Sequence, residues 1–259
     1  MMQWMTLFNK EMTENWRNKK WIWVPLVFIL LAITDPLSTY YMPQIIDAVG
    51  GLPEGTIIEM PEPAPAEVVA MSLGQFSSFG VLIIVLTSMG TIAGEIKNGV
   101  AELILVKPVA YKNYISAKWA AHLLLILVAF AVGMFASWYY INLLFGDLSF
   151  TSFLFILLFY GTWLLFVVTL SIFYNTFFKT PGLVAFFSIL TIVVMSIVTQ
   201  IFGTYLEWSP NNLSNYIFEM VRADDISSQL VGTSIVTVAI SIVLLILSIY
   251  IFKTKELIQ

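Results

Sequence analysis

Cysteine is absent from the chain, so no disulfide framework, thiolate nucleophile or Cys-ligated metal can form. Histidine occurs once, at His122, which excludes a multi-histidine metal site and a histidine relay. Charge is scarce as well. Only 11% of the 259 residues are Asp, Glu, Lys or Arg, against roughly 25% in an ordinary soluble domain. No GxxxxGK[ST] phosphate loop occurs, and the stretch GEIKNG at Gly94 to Gly99 lacks its spacing, so the chain is not expected to hydrolyse ATP by itself. HExxH and GxSxG patterns are missing too, and no enzymatic activity is expected.

What the chain has in abundance is apolar surface. Hydrophobic residues make up 59% of it, and the mean hydropathy is +0.89. A hydrocarbon core about 30 Å thick needs roughly 20 apolar helical residues. Six stretches qualify: Trp21 to Tyr41, Leu73 to Ala93, Ile115 to Phe145, Ser152 to Phe178, Gly182 to Tyr205 and Val231 to Phe252. The first is expected to be a retained span rather than a cleavable signal, because it ends in TDPLSTYYMP, with bulky tyrosines and no small-residue cleavage pattern. The fold class is therefore all-α, a polytopic membrane protein with six transmembrane helices.

The few charges partition sharply. Lys10, Arg17, Lys19, Lys20, Lys97, Lys107, Lys112, Lys118, Lys179, Lys253 and Lys255 fall on one side of a six-span topology, with only Arg222 opposite. Basic residues near span ends stay cytoplasmic, which sets both termini inside the cell. The other side collects Asp47, Glu54, Glu59, Glu62, Glu67, Asp147, Glu207, Glu219, Asp224 and Asp225.

Residues 1–20 precede the first span. Within them Trp4, Phe8, Met12 and Trp16 recur every four positions, and Met5 widens the stripe. At about 100° per residue this is one face of a helix, with Lys10, Glu14 and Arg17 on the rest. Such a helix lies in the headgroup plane against membrane lipid, either as a plain anchor or with a gating role.

Between the second and third spans lies a Gly- and Pro-punctuated insert, residues 94–114. Gly99 permits a turn, and Pro108 ends a short apolar stretch containing Leu103 and Leu105. Exposing that stretch to water is unfavourable by roughly 25 cal/mol per Å², so a partner is expected to cover it. The order Glu95, Gly99, Glu102, Leu103, Leu105, Pro108, Tyr111 and Lys118 resembles the signature of type-2 ATP-binding-cassette exporter permeases. The resemblance implies that this segment is a coupling helix docking into a separate ATPase subunit, and that residues 1–20 are the family's connecting helix. Glu95 and Glu102 would pair with basic ATPase residues, or Glu95 would only anchor the second span. Leu103 and Leu105 would fill an apolar cleft. It further implies a second permease subunit, as a homodimer or heterodimer, in the cell membrane. ATP and Mg would be held on the ATPase, with no cofactor on this chain and no nucleic acid.

The remaining candidates are polar groups within or beside the six-span domain, residues 21–259. Asp35, next to Pro36, either lines a transport path or is hydrated at a kink. His122 reads as an interfacial hydrogen-bonding residue, and Asn142, Asn175 and Gln200 fall near span ends or on a dimer seam. Residues 42–72 read as an acidic, Pro-rich external segment, and residues 203–230 as an external re-entrant or interfacial segment broken at Gly203 and Pro210. Rival readings are a stand-alone transporter or channel, which predicts inverted repeats and several buried charges, and a membrane scaffold or sensor.

Overall fold

The structure is a computed structural model and describes residues 2–49, 63–100 and 109–256. All regular elements among the described residues are helical. Helix α1 (Met2–Arg17) leads through Lys19, whose φ is 56°, into α2 (Lys20–Val49). The second span is segmented into α3 (Pro65–Gln75), a π-helical turn (Phe76–Gly80), α4 (Val81–Ser88) and α5 (Ala93–Lys97). Helices α6 (Tyr111–Leu144), α7 (Phe150–Phe177) and α8 (Pro181–Ile201) follow. A 3-10 turn (Pro210–Asn212), α9 (Leu213–Ala223) and α10 (Ser228–Glu256) complete the chain.

Among the described residues, six stretches are long and apolar enough to cross a membrane: Lys20–Ile46, Pro65–Lys97, Tyr111–Leu144, Phe150–Phe177, Pro181–Ile201 and Ser228–Thr254. The number agrees with the sequence, but the lengths differ. Helix α2 continues through Pro36 and Pro43 to Val49, because each proline removes a single ladder hydrogen bond. Hydroxyls back-bond to the carbonyls nearby, Thr34 to Leu30 and Ser38 to Asp35. The second span begins early because Pro65 occupies the first turn of α3, where its missing N–H is harmless. Both ends of the expected external segment 42–72 are therefore helical.

The bundle is centred on the second, third and fourth spans, half or more of which are buried, whereas the first, fifth and sixth are mostly peripheral. Phe28, Phe76, Phe130 and Tyr160 sit at most 1% exposed and run in series from α2 through the π turn and α6 to α7, with centroids 5.3, 5.2 and 5.0 Å apart. Lipid tails are as apolar as these rings, so close packing rather than water exclusion holds such a centre together. Gly133 lets α2 and α6 approach: a Cβ there would lie 2.8 Å from the Phe28 carbonyl oxygen. Helix α10 buries small hydroxyl residues, Thr233, Ser234, Thr237 and Ser241, while it packs along α7. All but Thr233 return their hydroxyls to the carbonyl four residues back, satisfying them without a partner helix.

The two ends of the bundle differ in charge. Helix α1, α5 and the start of α6 lie together at a basic end, and α9 lies at an acidic end.

Candidate coupling site and membrane groove

At the basic end the polar side of α1 faces the protein. Leu7, Glu11 and Asn15, at four-residue spacing, turn toward the bundle, with Glu11 and Asn15 buried. Trp4 and Phe8 stack on each other at 5.1 Å, and the Trp4 indole donates to Ser116 Oγ at 3.0 Å. Met12 is half-buried, while Met5 and Trp16 are exposed. The apolar stripe expected from the sequence is thus divided, its first half partly against α6 and Trp16 outward. The reason is electrostatic. Lys118, two turns into α6, is 2% exposed and needs counter-charges.

Those counter-charges come from two directions. Lys118 Nζ lies 2.7 Å from Glu11 Oε1 on α1 and 2.9 Å from Glu95 Oε1 on α5. Lys10 pairs with the same two acids and with Glu14, and the Tyr114 hydroxyl donates to the other oxygen of Glu95. Burial opposes the charge on Lys10, yet its hydrogen bond to Glu95 and the fields of Glu11 and Glu95 hold its ammonium above the ordinary lysine range. Glu11, Glu14 and Glu95 are close enough to suggest a cation site, but two ammonium groups already occupy the space between them. Three elements remote in sequence are fastened as one unit. Glu95 spends its carboxylate inside the chain rather than offering it outward.

Just above Glu95 the second span is broken at Met89 to Ile92. Backbone groups freed in a membrane-spanning break need partners, and Asn175 of α7 supplies them. Its Oδ1 accepts from the Ile92 and Ala93 N–H groups at 3.1 and 3.0 Å, and its Nδ2 donates to the Ser88 and Ser171 carbonyls at 3.0 and 2.9 Å. A hydroxyl pair, Ser88 with Ser171 at 2.6 Å, adds to the clamp. Asn175 is fully buried, not on a dimer seam. A single Asn inside an apolar run was visible in the sequence, but its partners lie across the bundle. Lys118, Tyr114 and Glu11 were missed as a set for the same reason.

Other expected residues are placed as follows. Gly99 adopts φ 71°, the left-handed turn that favours glycine. Glu102, Leu103, Leu105 and Pro108 lie outside the described residues. Asp35 accepts from Gln75 at 3.0 Å across the α2–α3 contact, so it serves a helix contact and does not line the groove below. His122 is buried beside Thr87, 3.3 Å from its hydroxyl.

That groove, about 1120 Å³, runs between the second span, α8 and α9. Its outer part presents Glu67, Gln200, Asn211 and Asn215, and its inner part Phe79, Leu82, Ile192 and Trp163. The π turn forms its inner flank, contributing Ser77, Ser78 and Phe79. At the nearby acidic end Tyr216 is pushed above the usual tyrosine range by burial and by Glu207 and Glu219. Gly203 and Pro210, the expected breakpoints, fall in the turns after α8.

Six spanning helices among the described residues, with an amphipathic helix ion-paired to the second and third, define a polytopic membrane protein. The model of the ABC-2 family transporter proteins matches residues 5–257, and the chain belongs to that family. The resemblance drawn from residues 94–118 is therefore correct at the level of the family. Over 206 residues, 80% of either chain, it is 35% identical to the uncharacterized transmembrane protein YxlG of Bacillus subtilis (strain 168).

Proposed function

We propose that the chain is the permease subunit of an ATP-binding-cassette exporter, moving its substrate across the cell membrane with energy from a separate ATPase subunit. On this reading the basic end is cytoplasmic, since Lys10, Arg17, Lys19, Lys20, Lys97, Lys112, Lys118 and Lys179 gather there. The chain itself catalyses nothing and holds no cofactor; ATP and Mg belong to the partner, and two permease subunits pair to enclose a path.

The observation that carries this reading is the fastening of α1, α5 and α6 through Lys118, Glu11 and Glu95. A push delivered to the segment between Gly99 and Tyr111 would move α5 and the interfacial helix together. It would then reach the break at Met89 to Ile92, where Asn175 passes it to the fourth span. Gly99 marks the start of the receiving segment, Glu102, Leu103 and Leu105 are its contacts and Pro108 its end.

The test is co-purification. Leu103→Asp with Leu105→Asp places two carboxylates against the proposed apolar cleft, and about 1.4 kcal/mol of lost contact already weakens association tenfold. The double variant is expected to insert normally yet lose an ABC ATPase subunit that co-purifies with the unmodified chain. Ile57→Asp with Ile58→Asp is expected to retain it. Retention of a stoichiometric ATPase by the first variant would overturn the coupling role, and a chain that transports with no ATPase would overturn the subunit reading.

A further inference from the structure

A second cavity, about 480 Å³, opens beside the lower break of the second span, at the corner where α1 turns into α2. Its wall carries a buried amide that bonds nothing. Asn15 is 7% exposed, and its side-chain oxygen and nitrogen make no hydrogen bond among the described residues, yet neither atom is sealed off from the cavity it lines. Buried polar groups left unpaired are costly, at about 1–3 kcal/mol each, so this wall favours a ligand that both donates and accepts. Lys20 lies on the same wall. One of its three N–H groups donates to the Thr87 carbonyl at 3.0 Å, and no carboxylate pairs with it among the described residues. The other polar groups of the lining are mostly engaged: Lys118 with Glu11, and His122 with the Thr87 hydroxyl. Glu14 is the exception. It is half-exposed, touches Lys10 alone at 3.3 Å, and acts on Lys20 through its field without closing on it. A cation and a carboxylate thus face each other across open volume.

The apolar part of the lining fixes the side from which a ligand arrives. Leu86 and Trp23 expose 56% and 39% of their surfaces, and Leu86 belongs to the second span, so the cavity continues onto a face that meets acyl chains. We infer that the cavity seats the headgroup of a membrane phospholipid bearing a primary ammonium, its phosphate accepting from Lys20 and Asn15, its ammonium donating to Glu14 and its chains leaving past Trp23 and Leu86. Both unmatched charges are then answered by charge-assisted hydrogen bonds. An anionic headgroup lacking the amine would satisfy Lys20 and meet the field of Glu14 with nothing to offer it. A soluble zwitterion would match the polar wall but leave Trp23 and Leu86 uncovered. This site goes beyond the exporter reading and does not rest on it: the lipid binds the chain alone, whether or not an ATPase joins it.

The full chain in detergent is labelled with a phosphatidylethanolamine carrying a diazirine on the first carbons of one acyl chain, and the cross-linked peptides are mapped. Unlabelled phosphatidylethanolamine, phosphatidylglycerol and water-soluble glycerophosphoethanolamine compete with it. The first is expected to compete about fivefold better than the second and about tenfold better than the third. Glu14→Gln is expected to erase the preference for ethanolamine over glycerol while keeping both lipids bound, a change that a merely structural role would not produce. Lys20→Gln is expected to weaken both lipids about fivefold. Asn15→Leu is expected to weaken both as well and, because the parent amide is unpaired, to melt no lower than the parent once lipid is stripped away. Equal or better competition by phosphatidylglycerol overturns the proposal, and competition by the soluble compound matching that of the lipid overturns the membrane source. So do an ethanolamine preference that survives Glu14→Gln, a lipid-free Asn15→Leu chain that melts well below the parent, and cross-links mapping away from α1, α4 and the start of α2.

Discussion

The second span is interrupted twice, at the π turn of Phe76–Gly80 and at Met89 to Ile92, and the two interruptions are handled in opposite ways. At the π turn the backbone keeps its bonds by widening, and one side-chain hydrogen bond, Ser77 with the Tyr160 hydroxyl at 2.9 Å, joins it to the fourth span beside the Phe76–Tyr160 ring contact. At the lower break the helix stops, and one side chain from the same fourth span, Asn175, ties the pieces with three hydrogen bonds and spends a fourth on its own helix at Ser171. Both border open volume, about 1120 Å³ at the π turn and about 480 Å³ at Met89 to Thr91, so the difference lies in what else each neighbours. The π turn adjoins no ion pair among the described residues, and some freedom there is compatible with admitting a ligand. The lower break borders the ion-paired unit of α1, α5 and α6, where displacement must be passed on rather than absorbed.

The largest expected effect is at the clamp. Asn175→Leu keeps the branching at Cγ, with a larger volume, but leaves the Ile92 and Ala93 N–H groups buried and unbonded, at about 1–3 kcal/mol each. Thermal unfolding in detergent is expected to show a loss on the order of 3–5 kcal/mol. Asn175→Asp, which keeps the acceptor, is expected to lose less. A leucine variant that melts with the parent would mean the break needs no clamp, and the contrast between the two interruptions would dissolve.

Next comes Lys118→Met, which strips Glu11 and Glu95 of their shared buried cation. A loss of about 3 kcal/mol is expected, and Glu11→Gln in the same chain is expected to recover at least about 1 kcal/mol by removing one of the two carboxylates left to share Lys10 alone. Additive losses in that double-mutant cycle would show that the two residues are not coupled. The smallest effect belongs to Ser77→Ala at the π turn. Tyr160 retains the Leu73 carbonyl as an acceptor, so the loss is expected to stay below about 1 kcal/mol. A drop matching that of Asn175→Leu would show the two interruptions to be equally rigid.

Periodicity and charge sufficed for the six spans, the amphipathic start and the two ends of the bundle, because hydropathy and the Lys/Arg bias are local properties of the chain. Span ends were less legible. Pro36 and Pro43 look like terminators, yet α2 passes through both, and the Ala32 carbonyl that Pro36 leaves free accepts from the Ser72 hydroxyl of the second span, 40 positions away. The inward turn of Glu11 was hidden because the aromatic stripe beside it dominates the helical pattern, while the buried cation that decides its orientation lies 107 positions away. Asn175 poses the same difficulty in sharper form. Its role depends on two N–H groups and a carbonyl of another span, none of which leaves a trace in side-chain chemistry. Glu95 and Gly99 were singled out from the motif, but only the geometry separates them, one held by three internal partners and the other shaping a turn.

The pairing of Glu11, Glu95 and Lys118 also has a consequence for biogenesis. These residues leave the ribosome in that order, so both acids are made before the lysine that joins them. A lone lysine within a nascent span resists insertion, by about 2.5–3.5 kcal/mol at a helix centre and by less near an end, where Lys118 lies. Here the third span arrives after α1 and α5, and its ammonium meets two waiting carboxylates. Translation order thus gives the most polar residue of the span a chaperone made of the same polypeptide.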